Sequence, residues 1–172
     1  SVSAKDGGTF SGTIAAAGYS SSTAGTSNYI AGVNAGNSIT AGGNFNTVVG
    51  DEAGTAITTG DNNTALGHRA LDACSTSVSN VAIGNDAGGA VTTGNGENVF
   101  VGNRAGLGVT TGQQNIIIGD NACANGTMTG NLNVFIGDNA GLVNTTGADN
   151  TAVGGSTLGA NTTGHSNVAV GK

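Results

Sequence analysis

The sequence predicts a parallel β-solenoid built from coils of 17–18 residues, and three observations predict it. A motif of Asn, one variable residue, two apolar residues and Gly recurs nine times, with consecutive Asn 17 or 18 residues apart. A fixed period of this kind indicates a repeat architecture. Many of the 33 Gly recur at a set phase, as turns with positive φ require. Short runs of Val, Ile, Thr and Phe that end at Gly or Asn are typical of strands, and no helical apolar stripe occurs.

The repeats divide the chain into two parts. Residues 28–172 make eight complete coils and a truncated ninth, in which two strand-like runs per coil are expected. Stacked at about 4.8 Å, these coils make a rod roughly 40 Å long. Residues 1–27 are rich in Gly, Ser and Ala and are either a degenerate cap coil or a partly ordered lead-in; a solenoid's need for closed ends favours the cap.

Composition excludes several classes of protein. The net charge of −6, from ten acidic against four basic residues, argues against a nucleic-acid partner. No run of 18 apolar residues is present, so no membrane insertion of this segment is expected. The chain shows no signal peptide and does not begin with Met, which suggests a processed or excised segment.

The recurring Asn, called position 0 of each coil, predicts a structural ladder. In-register amide side chains on stacked strands hydrogen-bond to one another along the stack. Each Asn also directly follows a turn, where its side chain can bond to backbone groups. The predicted rungs are Asn46, Asn63, Asn80, Asn98, Asn115, Asn133, Asn150 and Asn167.

The three residues after each Asn, positions 1 to 3, form a strand that is apolar on both faces. Positions 1 and 3 share one face by alternation, and we expect them to line the interior. Position 2 then points outward, and an apolar column there predicts an interface between copies of the chain, although an exposed stripe of mostly Ala is the alternative. The predicted interface column is Val48, Ala65, Ala82, Phe100, Ile117, Phe135, Ala152 and Ala169.

No group of residues predicts catalysis, and no cofactor is expected. The acidic and basic residues of positions 5 and 6 lie on a convex turn without a cleft and are best interpreted as a surface ion-pair row. Asp120 and Asp138, together with Asn121 and Asn139, could hold only an adventitious cation, because the glycine-rich signature of calcium-binding β-rolls is missing. Cys74 and Cys123 lie three coils apart, too far for a disulfide. Adjacent Thr pairs such as Thr58–Thr59 point to opposite faces, which disfavours an ice-binding surface of two Thr columns.

The segments NTALGHRA (63–70) and NTTGHSN (161–167) resemble the head repeats of trimeric autotransporter adhesins and related repeats of phage tail-fibre shafts. The resemblance covers residues 28–172, with a period longer than that of usual adhesin heads. It implies a homotrimer of parallel β-rolls on the surface of a cell or virion, which binds an unknown surface receptor or glycan and does not turn over a substrate. The alternatives are a monomeric β-solenoid that binds a repetitive ligand such as ice or polysaccharide, and a subunit of an end-to-end extracellular filament.

Overall fold

The computed structural model describes residues 23–94 and 96–172, so most of the predicted lead-in at residues 1–27 lies outside the described residues. Among these described residues, nine strands of three residues follow in chain order and form one sheet. They are Tyr29–Ala31 (β1), Thr47–Val49 (β2), Thr64–Leu66 (β3), Val81–Ile83 (β4), Val99–Val101 (β5), Ile116–Ile118 (β6), Val134–Ile136 (β7), Thr151–Val153 (β8) and Val168–Val170 (β9).

Each strand pairs in parallel with the next, and equivalent positions of consecutive coils face each other throughout. In β4 and β5, for example, Ala82 lies opposite Phe100. Within the described residues there is no helix. The predicted all-β parallel solenoid is therefore confirmed.

The second strand-like run of each coil, around the Thr-Thr-Gly segment, is not a regular strand in the described residues. Its coils are joined by one to three backbone hydrogen bonds, such as Thr58 N to Ser75 O at 2.9 Å, and by one isolated bridge between Val109 and Met128. Gly on either side of these short runs limits how far an extended ladder can continue. The expectation of two strands per coil was wrong.

The predicted orientation of the strands was also wrong. Position 2 points into the coil: Phe100, Ile117 and Phe135 are 0% exposed within a single chain. Positions 1 and 3 point outward instead. The members of the predicted interface column that are fully enclosed in the core are Val48, Ala65, Ala82, Phe100, Ile117, Phe135 and Ala152, whereas Ala169 in the last coil is half-buried. Side chains enclosed by their own chain have no surface to offer another copy.

The narrowness of the coil explains this orientation. Across the interior, position 2 meets the buried Ala of position 7, the residue at position 8 and a second apolar column at position 11. That second column contains Ile39, Ile57, Cys74, Val91 and Val109, with Met128 in the 18-residue coil that begins at Asn115. One strand column is enough to fill the remaining space, so the two columns of positions 1 and 3 have no room inside.

The Gly at position 4 lets consecutive coils approach closely at the end of each strand. Gly102 has φ of +135°, and a Cβ there would lie 2.5 Å from the carbonyl oxygen of Gly119 in the next coil. Side chains avoid both this backbone conformation and this distance. The recurring Gly therefore allows each turn to stack on the next at the spacing that the strand hydrogen bonds set.

Candidate functional site

The Asn side chains of position 0 form a continuous hydrogen-bonded ladder through the interior. Oδ1 of Asn98 accepts hydrogen bonds from the backbone N and from Nδ2 of Asn115, at 2.9 and 3.1 Å. Nδ2 of Asn98 donates to Oδ1 of Asn80 at 3.1 Å and to the carbonyl oxygen of Gly112 at 2.9 Å. The same pattern extends to Asn167, whose Nδ2 donates to Asn150.

This ladder lies inside the coil and is not available to a ligand. From Asn46 to Asn150 its members are at most 1% exposed, and only the last rung, Asn167, is exposed. No buried side-chain nitrogen or oxygen among the described residues lacks a hydrogen-bond partner. Because a buried amide without partners is costly, each rung depends on the coils above and below it.

A second amide ladder, of only two Asn residues, was not predicted from the sequence. At position 11 the apolar column changes to Asn144 and Asn161 in the last two complete coils. Nδ2 of Asn161 donates to Oδ1 of Asn144 at 3.1 Å, and Nδ2 of Asn144 donates to the carbonyl oxygen of Gly147 at 2.8 Å. The signal was present in the sequence, because these are the only two Asn at that phase of the repeat.

The outer sheet face, formed by positions 1 and 3 of all nine strands, is the principal candidate for a functional surface. Leu66, Ile83 and Ile116 are 38–45% exposed on this face, and none of its residues is buried. None is charged. The position-1 column is Tyr29, Thr47, Thr64, Val81, Val99, Ile116, Val134, Thr151 and Val168, and the position-3 column is Ala31, Val49, Leu66, Ile83, Val101, Ile118, Ile136, Val153 and Val170.

The turn beside this face carries a polar row at position 5. His68 Nδ1 lies 2.9 Å from Asn85 Oδ1, Asn85 Nδ2 donates to Asn103, and Asn103 Nδ2 donates to Asp120 Oδ1 at 2.8 Å. All four of these side chains are exposed. Water competes for such bonds, so this row is a solvated border of the outer sheet face and not an enclosed binding site.

Arg69 organises the neighbouring position-6 row. Its guanidinium lies 2.7 Å from Asp72, 3.6 Å from Asp86 and 3.7 Å from Glu52. The hydrogen bond and charge of Asp72, followed by the charge of Asp86, raise the pKa of Arg69. The predicted ion-pair row is therefore present around Arg69, with Asp72 as an additional partner from the same coil. Its exposed pairs contribute little to stability.

The described residues contain no cluster of three or more His, Cys, Asp or Glu able to hold a metal ion. Cys74 and Cys123 are both buried and free, as the sequence predicts. Burial raises the pKa of each thiol to about 12, so both remain protonated and unreactive at neutral pH.

The Thr residues divide between a structural and an exposed column. At position 12 the hydroxyl donates to the carbonyl oxygen of the next coil, as Thr40 Oγ1 does to Thr58 O at 2.9 Å and Thr110 Oγ1 to Met128 O at 3.2 Å. The exposed Thr column follows it and contains Thr59, Thr76, Thr93, Thr111, Thr129, Thr146 and Thr163. The position-12 column is also half-buried or exposed, as at Thr40 and Thr162, so its hydrogen bonds between coils, and not burial, distinguish it from the outer Thr column.

Across residues 23–94 and 96–172, no helix is long and apolar enough to cross a membrane. Comparison of the chain with known protein families, with curated proteins and with solved structures gives no significant match.

Proposed function

We propose that this chain is a structural and adhesive segment of an extracellular trimeric fibre, which acts by display and binding and not by catalysis. The observation that carries the proposal is the unbroken repeat: each coil is joined to the next by strand pairing and by an Asn rung. Every added coil reuses the same contacts, so such a chain makes a rigid rod of any required length. A rigid rod of adjustable length is what a fibre needs to hold a binding surface at a distance from a cell or virion.

The resemblance of segments 63–70 and 161–167 to adhesin heads and phage tail-fibre shafts supports the same function. Either host places the rod on an outer surface and gives it a surface receptor or a glycan as partner. The net charge of −6 is consistent with a partner other than nucleic acid. Among the described side chains, the exposed polar groups lie in rows along convex turns, an arrangement suited to contact rather than to turnover.

Oligomeric mass tests the proposal. Multi-angle light scattering of the 16.3 kDa chain should give three times the monomer mass, and small-angle scattering should give an elongated particle. A monomer mass at every accessible concentration would exclude the trimeric fibre.

A second candidate function is a monomeric solenoid that binds a repetitive ligand such as ice. The observation that favours it is the outer sheet face, because its two columns lie on alternate residues of one strand and repeat at the strand spacing of about 4.8 Å. Thr47, Thr64 and Thr151 add hydroxyls to position 1, whereas position 3 is entirely aliphatic or Ala. Thermal hysteresis of a monomeric sample would support this candidate in place of the fibre.

A further inference from the structure

We infer that the Asn125–Gly126 pair is a site of spontaneous chemical modification, at which the folded chain loses ammonia and forms an aspartate or an isoaspartate. The pair belongs to the 18-residue coil that begins at Asn115 and lies apart from the Asn ladder and the outer sheet face. The modification needs no second copy of the chain, so it is independent of the proposed fibre.

The reaction joins an Asn side chain to the backbone nitrogen that follows it, and Asn is a thermolabile residue for this reason. The backbone N of Gly126 attacks Cγ of Asn125, and the new bond closes a five-membered succinimide ring. The bond between Cγ and Nδ2 breaks, and Nδ2 leaves as ammonia with the proton that the Gly126 amide gives up. Water then opens the ring at one of its two carbonyl carbons. Opening at Cγ gives Asp, and opening at the backbone carbonyl gives isoaspartate.

The loop at this pair leaves the attacking nitrogen without a hydrogen-bond acceptor. The backbone N of Asn125 donates to the carbonyl oxygen of Leu142 at 3.0 Å, and that of Met128 donates to the carbonyl oxygen of Gly108 at 2.7 Å. Between these two bonds the chain passes from one neighbouring coil to the other, and within the described residues the backbone N of Gly126 donates no hydrogen bond. Both members of the pair are exposed, so water reaches the ring.

Gly126 also leaves the side chain of Asn125 room to reach that nitrogen. Glycine lacks the Cβ that would stand beside the attacking nitrogen, and it permits the widest backbone rotation. Gly126 has φ of +104°, and a Cβ built on it would meet nothing nearer than Cγ2 of Thr145 at 3.5 Å. In the described part of the chain, the Asn125 side chain makes no hydrogen bond that the attack would have to break.

The stacking of the coils protects other Asn residues from the same reaction. Asn103 is exposed, but the N of Arg104 donates to the preceding coil at 2.8 Å. Asn131 is exposed as well, and the N of Leu132 donates to the preceding coil at 3.1 Å. In the ladder, the N of Val99 donates to the next coil at 2.8 Å. A nitrogen held in such a bond must leave it before it can attack, at a cost in free energy.

Asn125 is the one described Asn that combines a following Gly with a backbone N that lacks an acceptor. After Asn121 the next backbone N also lacks an acceptor among the described residues, but it belongs to Ala122, whose Cβ hinders the attack. The sequence contains a further Asn–Gly pair at 95–96, and residue 95 lies outside the described residues. The periodic backbone bonds thus direct the reaction to a loop where the period is interrupted.

The products change the loop in two ways. Each adds one negative charge, which changes the net charge of the chain from −6 to −7. Isoaspartate also lengthens the main chain by one carbon atom between the two backbone bonds that tie the loop to its neighbouring coils.

The first experiment follows the folded, unmodified protein at pH 8. Cleavage after arginine yields residues 105–172 as one fragment, and tandem mass spectrometry locates the exchange of NH2 for OH within it. We expect exchange at Asn125 to be at least about tenfold faster than at Asn139, equivalent to about 1.4 kcal/mol of activation free energy. Asn139 is the matched reference in that fragment, because it precedes Ala140, whose N donates to the carbonyl oxygen of Gly137 at 3.2 Å. A smaller ratio overturns the inference.

The second experiment asks whether the fold leaves the pair reactive. The measurement is repeated in denaturant at a concentration where circular dichroism shows no folded chain. Exchange at Asn125 should increase by less than about tenfold, because the amide of Gly126 already lacks an acceptor in the folded chain. A larger increase would mean that the fold protects the pair, and the inference would be wrong.

The third experiment tests the ring itself. Isoaspartate should accompany Asp at position 125, because only opening of the succinimide yields it. Asn125→Gln lengthens the side chain by one carbon and removes the five-membered ring, so exchange at this position should disappear while the circular dichroism stays unchanged. Asp without isoaspartate, or equal exchange in Asn125→Gln, would indicate direct hydrolysis by water and overturn the inferred route.

Discussion

The coils that begin at Asn133 and Asn150 lie next to each other, yet they fill their interiors from opposite sides. In the first, position 2 is Phe135 and position 8 is Gly141. In the second, position 2 is Ala152 and position 8 is Leu158, which packs against the core. The large side chain has moved from the strand to the turn across the same narrow interior.

The same exchange occurs in other coils. Phe100 is paired with Gly106, whereas Ala65 is paired with Leu71. A Cβ on Gly106 would collide with the ring of Phe100, and Leu71 fills its coil completely enough to be 0% exposed. In these four coils a large residue at one position accompanies a small one at the other, because interiors are close-packed. The coil at Asn80 has small residues at both, Ala82 and Gly88, and there the side chains of Phe100 and Leu71 from the neighbouring coils lie close to Gly88.

The two solutions differ in backbone strain. Position 8 has positive φ in both kinds of coil, +60° at Gly141 and +51° at Leu158. A residue with a side chain pays about 1–2 kcal/mol for this conformation, and Gly does not. The coils with Phe on the strand are thus the less strained of the two.

Replacing the residues at positions 2 and 8 of one coil by those of the other should change the free energy of unfolding the most. Phe135→Ala alone should lower the free energy of unfolding by about 3–5 kcal/mol through the cavity it leaves. Gly141→Leu alone should cost about 3 kcal/mol or more, because a Cβ there would lie 2.5 Å from Cδ2 of Phe135. Chemical denaturation followed by circular dichroism measures both.

The double variant Phe135→Ala/Gly141→Leu sharpens the comparison. It recreates the coil of Ala152 and Leu158, so we expect it to be more stable than either single variant. The coupling between the two substitutions should be about 1–3 kcal/mol. If the two losses of unfolding free energy were additive, Leu at position 141 would not fill the space that Phe135 leaves. The complementary sizes at positions 2 and 8 would then have no effect on stability.

This exchange also shows what the sequence could and could not predict. The Asn period and the recurring Gly were enough to predict the coil length, the strand position and the Asn ladder. Alternation sorts Phe100 and Val101 onto opposite faces, but it cannot say which face is inside when both are apolar. The signal that could have identified the inner face was the size relation between positions 2 and 8. Large Phe100 occurs with small Gly106, whereas small Ala65 occurs with large Leu71. What covers the outer sheet face depends on another molecule, and alternation within one chain does not identify it.

Disrupting the Asn ladder should lower the free energy of unfolding by less than the substitutions at Phe135 and Gly141. Asn98→Ala removes the acceptor for Asn115 and the donor for the carbonyl oxygen of Gly112, all inside the coil. Leaving those partners unsatisfied should cost about 1–3 kcal/mol. The matched control is Asn167→Ala at the exposed last rung, which should cost less. Equal losses of unfolding free energy in Asn98→Ala and Asn167→Ala would show that burial does not determine how much an Asn rung stabilises the fold.

Alkaline pH should produce the smallest effect, and it distinguishes coils with a core thiol from coils without one. Burial raises the pKa of Cys74 from 9.0 to about 12, so the folded state keeps its proton while the unfolded state loses it above pH 9. The unfolded state then binds fewer protons, and the free energy of unfolding falls as pH rises from 9 toward 12. Cys74 alone should account for a loss of about 1.4 kcal/mol at pH 10. Cys74→Val places at position 11 the residue that Val91 and Val109 supply in the coils that follow, and it should remove this share of the pH dependence. Denaturation curves of both proteins at pH 8 and pH 10 measure the difference, and equal losses in the two would show that Cys74 does not titrate on unfolding.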